Sequence, residues 1–183
     1  MEMSVVVRVG AAASAAMRRW AIRRSRHDDP TAVLAAARAI MRSRTYCVLV
    51  THDDDGPSAR VVQPHKPDDR LCVHIGTSPM TRKAQQLNVT RQASLVYLDE
   101  VSRSSATIRC VVEPVSASEN RRRFMSGWSA FWPDGPESAD FAVFRCVPNR
   151  IEIWDLRRGI TPPPFGLASA VLERSGAEWV GST

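Results

Sequence analysis

A small β-barrel with helices packed outside it, a mainly β chain with flanking helices of the α+β type, is the fold that this sequence predicts. Three observations point there. Six or more short β-type runs alternate with turns rich in Pro, Gly and Asp. Helical spacing is confined to a few short segments, and no internal repeat is visible. The 183 residues suit one domain of ordinary size, large enough to bury roughly 68–70% of its unfolded surface.

The elements follow in order. Asp29-Pro30 supplies an N-cap and a proline at the first helical position. Val33, Ala36, Ala37, Ile40 and Met41 then recur at helical spacing, predicting an amphipathic helix to about Arg44. Tyr46–Thr51 reads as a strand that stops at the solvated hairpin turn Asp53-Asp54-Asp55-Gly56. Ala59–Val62 and Leu71–Ile75 complete what reads as a three-stranded antiparallel meander. A short helix is expected over Thr81–Asn88, then strands over Ala93–Leu98 and Ala106–Val115. Ser116 with Glu119 forms a capping box for a helix to about Met125. An aromatic, proline-rich segment with Trp128, Phe131, Trp132 and Pro133 comes next. Two strands, Phe141–Cys146 and Arg150–Trp154, are expected to join at Val147-Pro148-Asn149, with a weaker pair over Ala168–Glu173 and Glu178–Val180.

The net charge of +6 invites a nucleic-acid reading, but it is unevenly placed. Residues 1–27 hold six arginines and one acid, so the remainder is close to neutral. A nucleic-acid domain carries its basic patch on the fold itself, and no nucleic-acid partner is expected. The leader, 1–28, reads as a disordered extension, as an over-extended start with Met17 as the initiator, or as an organellar transit peptide; 29–183 is the folded domain. The longest stretch free of Asp, Glu, Lys and Arg, Gly159–Leu172, is broken by three prolines, too short for a membrane span. Cys47, Cys72, Cys110 and Cys146 sit inside apolar runs without Cys-x-x-Cys spacing, which predicts buried free thiols in a reducing compartment. The cytoplasm is the expected location, or an organelle matrix if the leader is a transit peptide.

Most catalytic signatures fail. No Gly-x-Gly-x-x-Gly or Walker loop occurs. Gly127-Trp128-Ser129 opens like a nucleophile elbow, but Phe131 stands where the closing glycine belongs. His52, His65 and His74 lack metal-ligand spacing, no metal is expected, and no residue is nominated as catalytic. One constellation remains: Arg60 on a strand, then Thr81-Arg82-Lys83 at a helix start. Hydroxyl, guanidinium and ammonium beside free helical amides suit a phosphate.

The ordered set Arg60-Val61-Val62, Ile75-Gly76-Thr77, Thr81-Arg82-Lys83 and Ile151-Glu152-Ile153-Trp154 resembles the pyridoxamine 5′-phosphate oxidase-like FMN-binding split-barrel superfamily. Gly127-Trp128-Ser129-Ala130-Phe131-Trp132-Pro133-Asp134-Gly135 is similar to its general-stress-protein branch. The resemblance covers about residues 31–158. It implies a split-barrel homodimer with FMN at the interface. Arg60, Thr81, Arg82 and Lys83 would hold the phosphate; Val61, Val62, Ile75, Gly76 and Thr77 would lie along the flavin, and Trp154 would stand near the cofactor or seal the barrel. Trp128 and Trp132 would be lid or dimer-contact residues. The oxidase's Arg-x-His motif is replaced by Asp155-Leu156-Arg157-Arg158, and its phosphate-gripping lysine falls near His65 or Lys66, behind Pro64, so vitamin B6 oxidation is not expected. An FMN-dependent oxidoreductase acting with a small-molecule partner is the reading that follows. The alternative is a non-catalytic flavin- or haem-binding stress protein, with the deazaflavin F420 as a further candidate cofactor.

Overall fold

The structure, a computed structural model, describes residues 15, 16, 19, 20, 22–162 and 168–181. Most of the predicted leader, Met17 and two of the three consecutive prolines lie outside them. Eight strands build one antiparallel sheet in the order β2-β1-β4-β5-β6-β7-β8, with β3 paired to β6. They are β1 (Cys47–Asp53), β2 (Gly56–Val62), β3 (Val73–Thr77), β4 (Gln92–Asp99), β5 (Ser104–Pro114), β6 (Ala142–Asp155), β7 (Ala170–Ser175) and β8 (Glu178–Gly181). The sheet curls around a core to which Leu49, Ile75, Leu95, Tyr97, Ile108, Ile151 and Leu172 contribute fully buried side chains.

Helix α1 (Pro30–Ser43) begins where the sequence places it. The Asp29 carboxylate accepts from the amides of Thr31 and Ala32, satisfying two of the donors that a helix start leaves free. Its buried face is Val33, Ala36, Ala37, Ile40 and Met41, and it packs against β4 to β8. Lys66 closes its other end, the Nζ donating to the carbonyls of Arg42 and Arg44, both at 2.9 Å. Contacts with the domain begin upstream of residue 29: the Arg26 amide donates to the Gly159 carbonyl at 2.8 Å. Among the described residues no helix is long and apolar enough to cross a membrane. All four cysteines are free and buried.

Two expectations need correction. The meander does not form, because β3 leaves β2 and pairs with β6 along Val73–Thr77 opposite Cys146–Ala142. Its one bridge to the chain after β2 joins Pro64 and Ile75, backed by the His65 amide donating to the His74 carbonyl at 2.9 Å. Proline carries no N–H, so a ladder starting at Pro64 lacks a donor at its first position. The two strands predicted on either side of Val147-Pro148-Asn149 are instead the single strand β6. Its register against β5 shifts between Arg109 and Cys110, passing over Asn149. A bulge is where a sheet accommodates proline, and the turn-like tripeptide is such a bulge.

Helix α2 (Arg82–Thr90) is capped by Thr81, and α3 (Ala117–Arg122) by Ser116. Helix α3 stops three residues short of the expected Met125. The chain then runs through two 3-10 turns, Ser126–Trp128 and Gly135–Glu137. Trp128, Trp132, Phe141 and Val143 form a second apolar cluster, to which Val115, Phe124 and Met125 are added. This aromatic strap covers the outer face of β3.

Candidate functional site

The two faces of β3 explain how the site is made. Val73 and Ile75 point into the barrel core. Gly76 points the other way, against the strap: a Cβ built on it would stand 2.7 Å from Cζ3 of Trp128. Only a residue without a side chain admits the indole there. Trp128 is 4% exposed and is held edge-on by His65, Phe124 and Trp132.

Beyond Pro64 and Ile75 the β2 and β3 edges diverge, and the gap between them is a cleft of about 560 Å³. Val61, Val62 and Gln63 line one side, Gly76, Thr77 and Ser78 the other, and Trp128, Phe131 and Trp132 the strap side. Volumes of about 300–1,000 Å³ are usual for small-molecule sites. Tyr46, Val61 and Phe131 leave 59%, 68% and 75% of their surface exposed at this cleft.

Polar groups gather where β3 runs into α2. The hydroxyls of Thr77 and Thr81 lie 3.1 Å apart. Thr81 Oγ1 donates to the Ser78 carbonyl at 2.7 Å and accepts the Ala84 amide as the N-cap of α2. Lys83 enters the cleft from the first turn of that helix. Burial, and next the Arg60 guanidinium, hold its ammonium below the ordinary lysine value.

Arg60 and Arg82 face a different way. Arg60 donates to Thr51 Oγ1, to the Ser58 carbonyl at 3.0 Å and to Gln86 Oε1 at 3.1 Å. Arg82 makes two hydrogen bonds to Asp53 Oδ2, from Nε at 3.2 Å and Nη2 at 2.9 Å. The 4%-exposed Gln86 joins the two, its Nε2 donating to Asp53 Oδ2 at 2.5 Å. Burial first, then the Arg82 charge, lowers the pKa of Arg60, with Asp53 acting in opposition. The Asp53 carboxyl is itself held low by the Gln86 and Arg82 hydrogen bonds.

Of the residues singled out from sequence, Val61, Val62, Gly76, Thr77, Thr81 and Lys83 therefore line one cleft. Arg60 and Arg82 adjoin it but are engaged with Thr51, Asp53 and Gln86. Ile75 is fully buried in the barrel core, so its side chain does not reach the cleft. Trp154 stands at the far end of β6, opposite Ser105 rather than near the Val143 that opposes Gly76. Its indole N–H is buried without a hydrogen-bond partner among the described residues. Trp128 and Trp132 are buried within the chain, and Phe131 is the exposed aromatic beside them.

Asp53 and Gln86 carried no functional expectation. Asp53 reads as one acid of a solvated turn, and Gln86 as a polar helix residue. Two histidines also lie behind Trp128. The His65 ring nitrogen Nε2 is 2.6 Å from the Arg123 carbonyl. Burial is the main cause that takes the His74 pKa down to about 4, with Arg123 adding to it and Glu119 at 3.5 Å opposing. His74 is thus neutral near pH 7, and its approach to Glu119 is no ion pair there.

The architecture has counterparts among solved structures. A Clostridium acetobutylicum protein related to general stress protein 26 superposes with a TM-score of 0.64 at 13% identity, covering 76% of this chain and 93% of that one. PhzG from Burkholderia lata 383, solved with tetrahydrophenazine-1-carboxylic acid, gives 0.62 at 22% identity, covering 85% and 94%. A pyridoxamine 5′-phosphate oxidase-related, FMN-binding protein of Nostoc punctiforme gives 0.60 at 16% identity, covering 81% and 93%. No curated protein sequence matches the chain. These likenesses establish the split-barrel fold. The family model for pyridoxamine 5′-phosphate oxidase matches residues 12–155. That span takes in both edges of the cleft and the whole strap, and the chain belongs to the pyridoxamine 5′-phosphate oxidase family.

Proposed function

We propose that this chain is an FMN-binding flavoprotein that serves as an oxidoreductase toward a small molecule, with a second copy of itself completing the cleft. The observation that carries this reading is the two-ended character of the cleft. One end gathers the Thr77 and Thr81 hydroxyls, the Lys83 ammonium and the free amides of α2, which suits a phosphate. The other end has two strand edges open to a planar ligand's polar rim and a wall of aromatic surface. The residues present fit FMN in both respects.

Thr77, Thr81 and Lys83 would hold the phosphate, with Arg60 and Arg82 as neighbouring positive charge. Val61, Val62, Gly76 and Thr77 would offer backbone groups along the ring. Trp128 fixes the depth of the cleft on that side. When bound, the flavin supplies two-electron or one-electron redox chemistry, and the protein supplies binding, orientation and exclusion of water. The exposed Tyr46, Val61 and Phe131 support a second copy covering the mouth, since they form an apolar rim facing solvent.

The test is the visible spectrum of the purified protein. Bands near about 370 and 450 nm that NAD(P)H bleaches are expected of a redox-active flavoprotein. A colourless protein that takes up no added FMN would overturn the reading. A Soret band would transfer it to haem, and deazaflavin absorption to F420.

A further inference from the structure

Three cations, Arg60, Arg82 and Lys83, stand together beside the cleft: after burial, the Arg82 charge lowers the Arg60 pKa and the Arg60 charge lowers that of Lys83. Asp53 alone among nearby carboxylates is tied into this group. It takes both Arg82 hydrogen bonds on Oδ2, and through Gln86 it is linked to Arg60. Asp55 stands further off, at 3.8 Å from Arg82, and is 89% exposed. Gln86 is buried, and its amide is used at both ends: the carbonyl accepts from Thr51 and Arg60, the NH2 donates to Asp53. That polarity admits one orientation only. Lys83 is left as the cation facing the cleft.

We propose that Asp53 is a latch: an internal carboxylate that occupies Arg82 and competes with the phosphate of the bound cofactor for it. The proposal rests on the phosphate end of the cleft assigned above. A carboxylate and a phosphate oxygen present the same acceptors to a guanidinium. Binding of a phosphate beside Lys83 therefore draws Arg82 from Asp53, and the cost of breaking that pair is subtracted from the affinity. Gln86 keeps Asp53 aimed at Arg82 and ready to take it back when the phosphate leaves. The latch makes the site release its ligand more readily than the three cations alone would allow.

The test compares wild-type protein with Asp53→Asn, and with Asp55→Asn as a charge-matched control. FMN and riboflavin are titrated against each by flavin fluorescence. Inorganic phosphate is titrated in parallel and read from the arginine side-chain Nε–H signals by NMR. The latch requires Asp53→Asn to bind FMN and phosphate about two- to fivefold more tightly, the range that an exposed ion pair spans. Riboflavin affinity, and every affinity of Asp55→Asn, stays at the wild-type value. Unchanged or weaker phosphate binding by Asp53→Asn would overturn the latch. Tighter phosphate binding by a protein that takes no FMN would leave the latch standing and remove the flavin reading.

Discussion

Gly76→Ala tests whether the strap is seated as described. The new methyl would lie 2.7–2.9 Å from three carbons of the Trp128 ring, about 1 Å inside the ordinary carbon–carbon contact of roughly 3.5–4.0 Å. Trp128 cannot simply swing aside, because His65, Phe124, Trp132 and Phe141 have ring centroids within 6.4 Å of its own. Nor can β3 withdraw, since its other face is the barrel core. Overpacking of this kind costs about 1–3 kcal/mol, or a fall in Tm of roughly 2–12 °C for a domain of this size. Urea unfolding followed by circular dichroism measures it. The decisive arm is a double-mutant cycle with Trp128→Leu. Removing the indole costs stability by itself, but it removes the clash as well, so Gly76→Ala becomes nearly neutral in that background. A coupling of about 1 kcal/mol or more is expected. Additive effects, or a single variant within about 0.5 kcal/mol of wild type, would refute the seating of Trp128 on Gly76.

Two further outcomes follow from the site. Lys83→Ala removes one charge-assisted contact, a loss of about 1.5–3 kcal/mol, so FMN affinity falls by one to two decades while riboflavin affinity holds; equal loss for both ligands in fluorescence titrations would show that Lys83 meets the ring and not the phosphate. His74 titrates at about 4 in the folded chain against about 6.5 when unfolded, so the unfolded state binds the extra proton first: this contribution to stability is complete above about pH 6.5 and declines as pH falls toward 4, by at most about 1.4 kcal/mol per pH unit. Unfolding midpoints between pH 7 and 4.5 should show a shallower decline in His74→Gln, and an identical slope would assign the effect to other groups.

Much of this fold was legible because local chemistry and tertiary role agree. Asp29-Pro30 caps α1 in isolation as it does in the domain, and the apolar spacing of α1 names its buried face without error. Legibility fails where a residue's meaning depends on a distant partner. Pro148 and Asn149 read as a turn because nothing local reveals that β5 runs alongside and absorbs them as a bulge. Leu71–Ile75 has the pattern of a strand, but the pattern is silent on which neighbour it joins. At the cleft, Thr81 and Lys83 were readable from their place at a helix start, whereas Thr77, the last residue of β3, was singled out only by the family resemblance. Asp53 was not readable, since three consecutive acids before a glycine describe a hairpin turn equally well, and only α2 brings Arg82 and Gln86 to it. The Gly76–Trp128 contact left a trace that sequence reasoning can use: a glycine inside a strand marks close approach by another group, and five tryptophans are few enough to search for it.

The separation of β2 from β3 across the cleft has a cost outside ligand binding. Among the described strands β2 is bonded only to β1 and β3 only to β6, so each turns an unpaired edge to the cleft, a template onto which an extended segment of another molecule can add. β2 carries one charged residue, Arg60, to discourage this, and it stands at the end of the sheet order. The strap lies over β3 and narrows access to both edges. The same span of aromatic side chains that shapes the cleft thus also guards against aggregation, and loosening it would open the cleft and expose the chain to strand addition together.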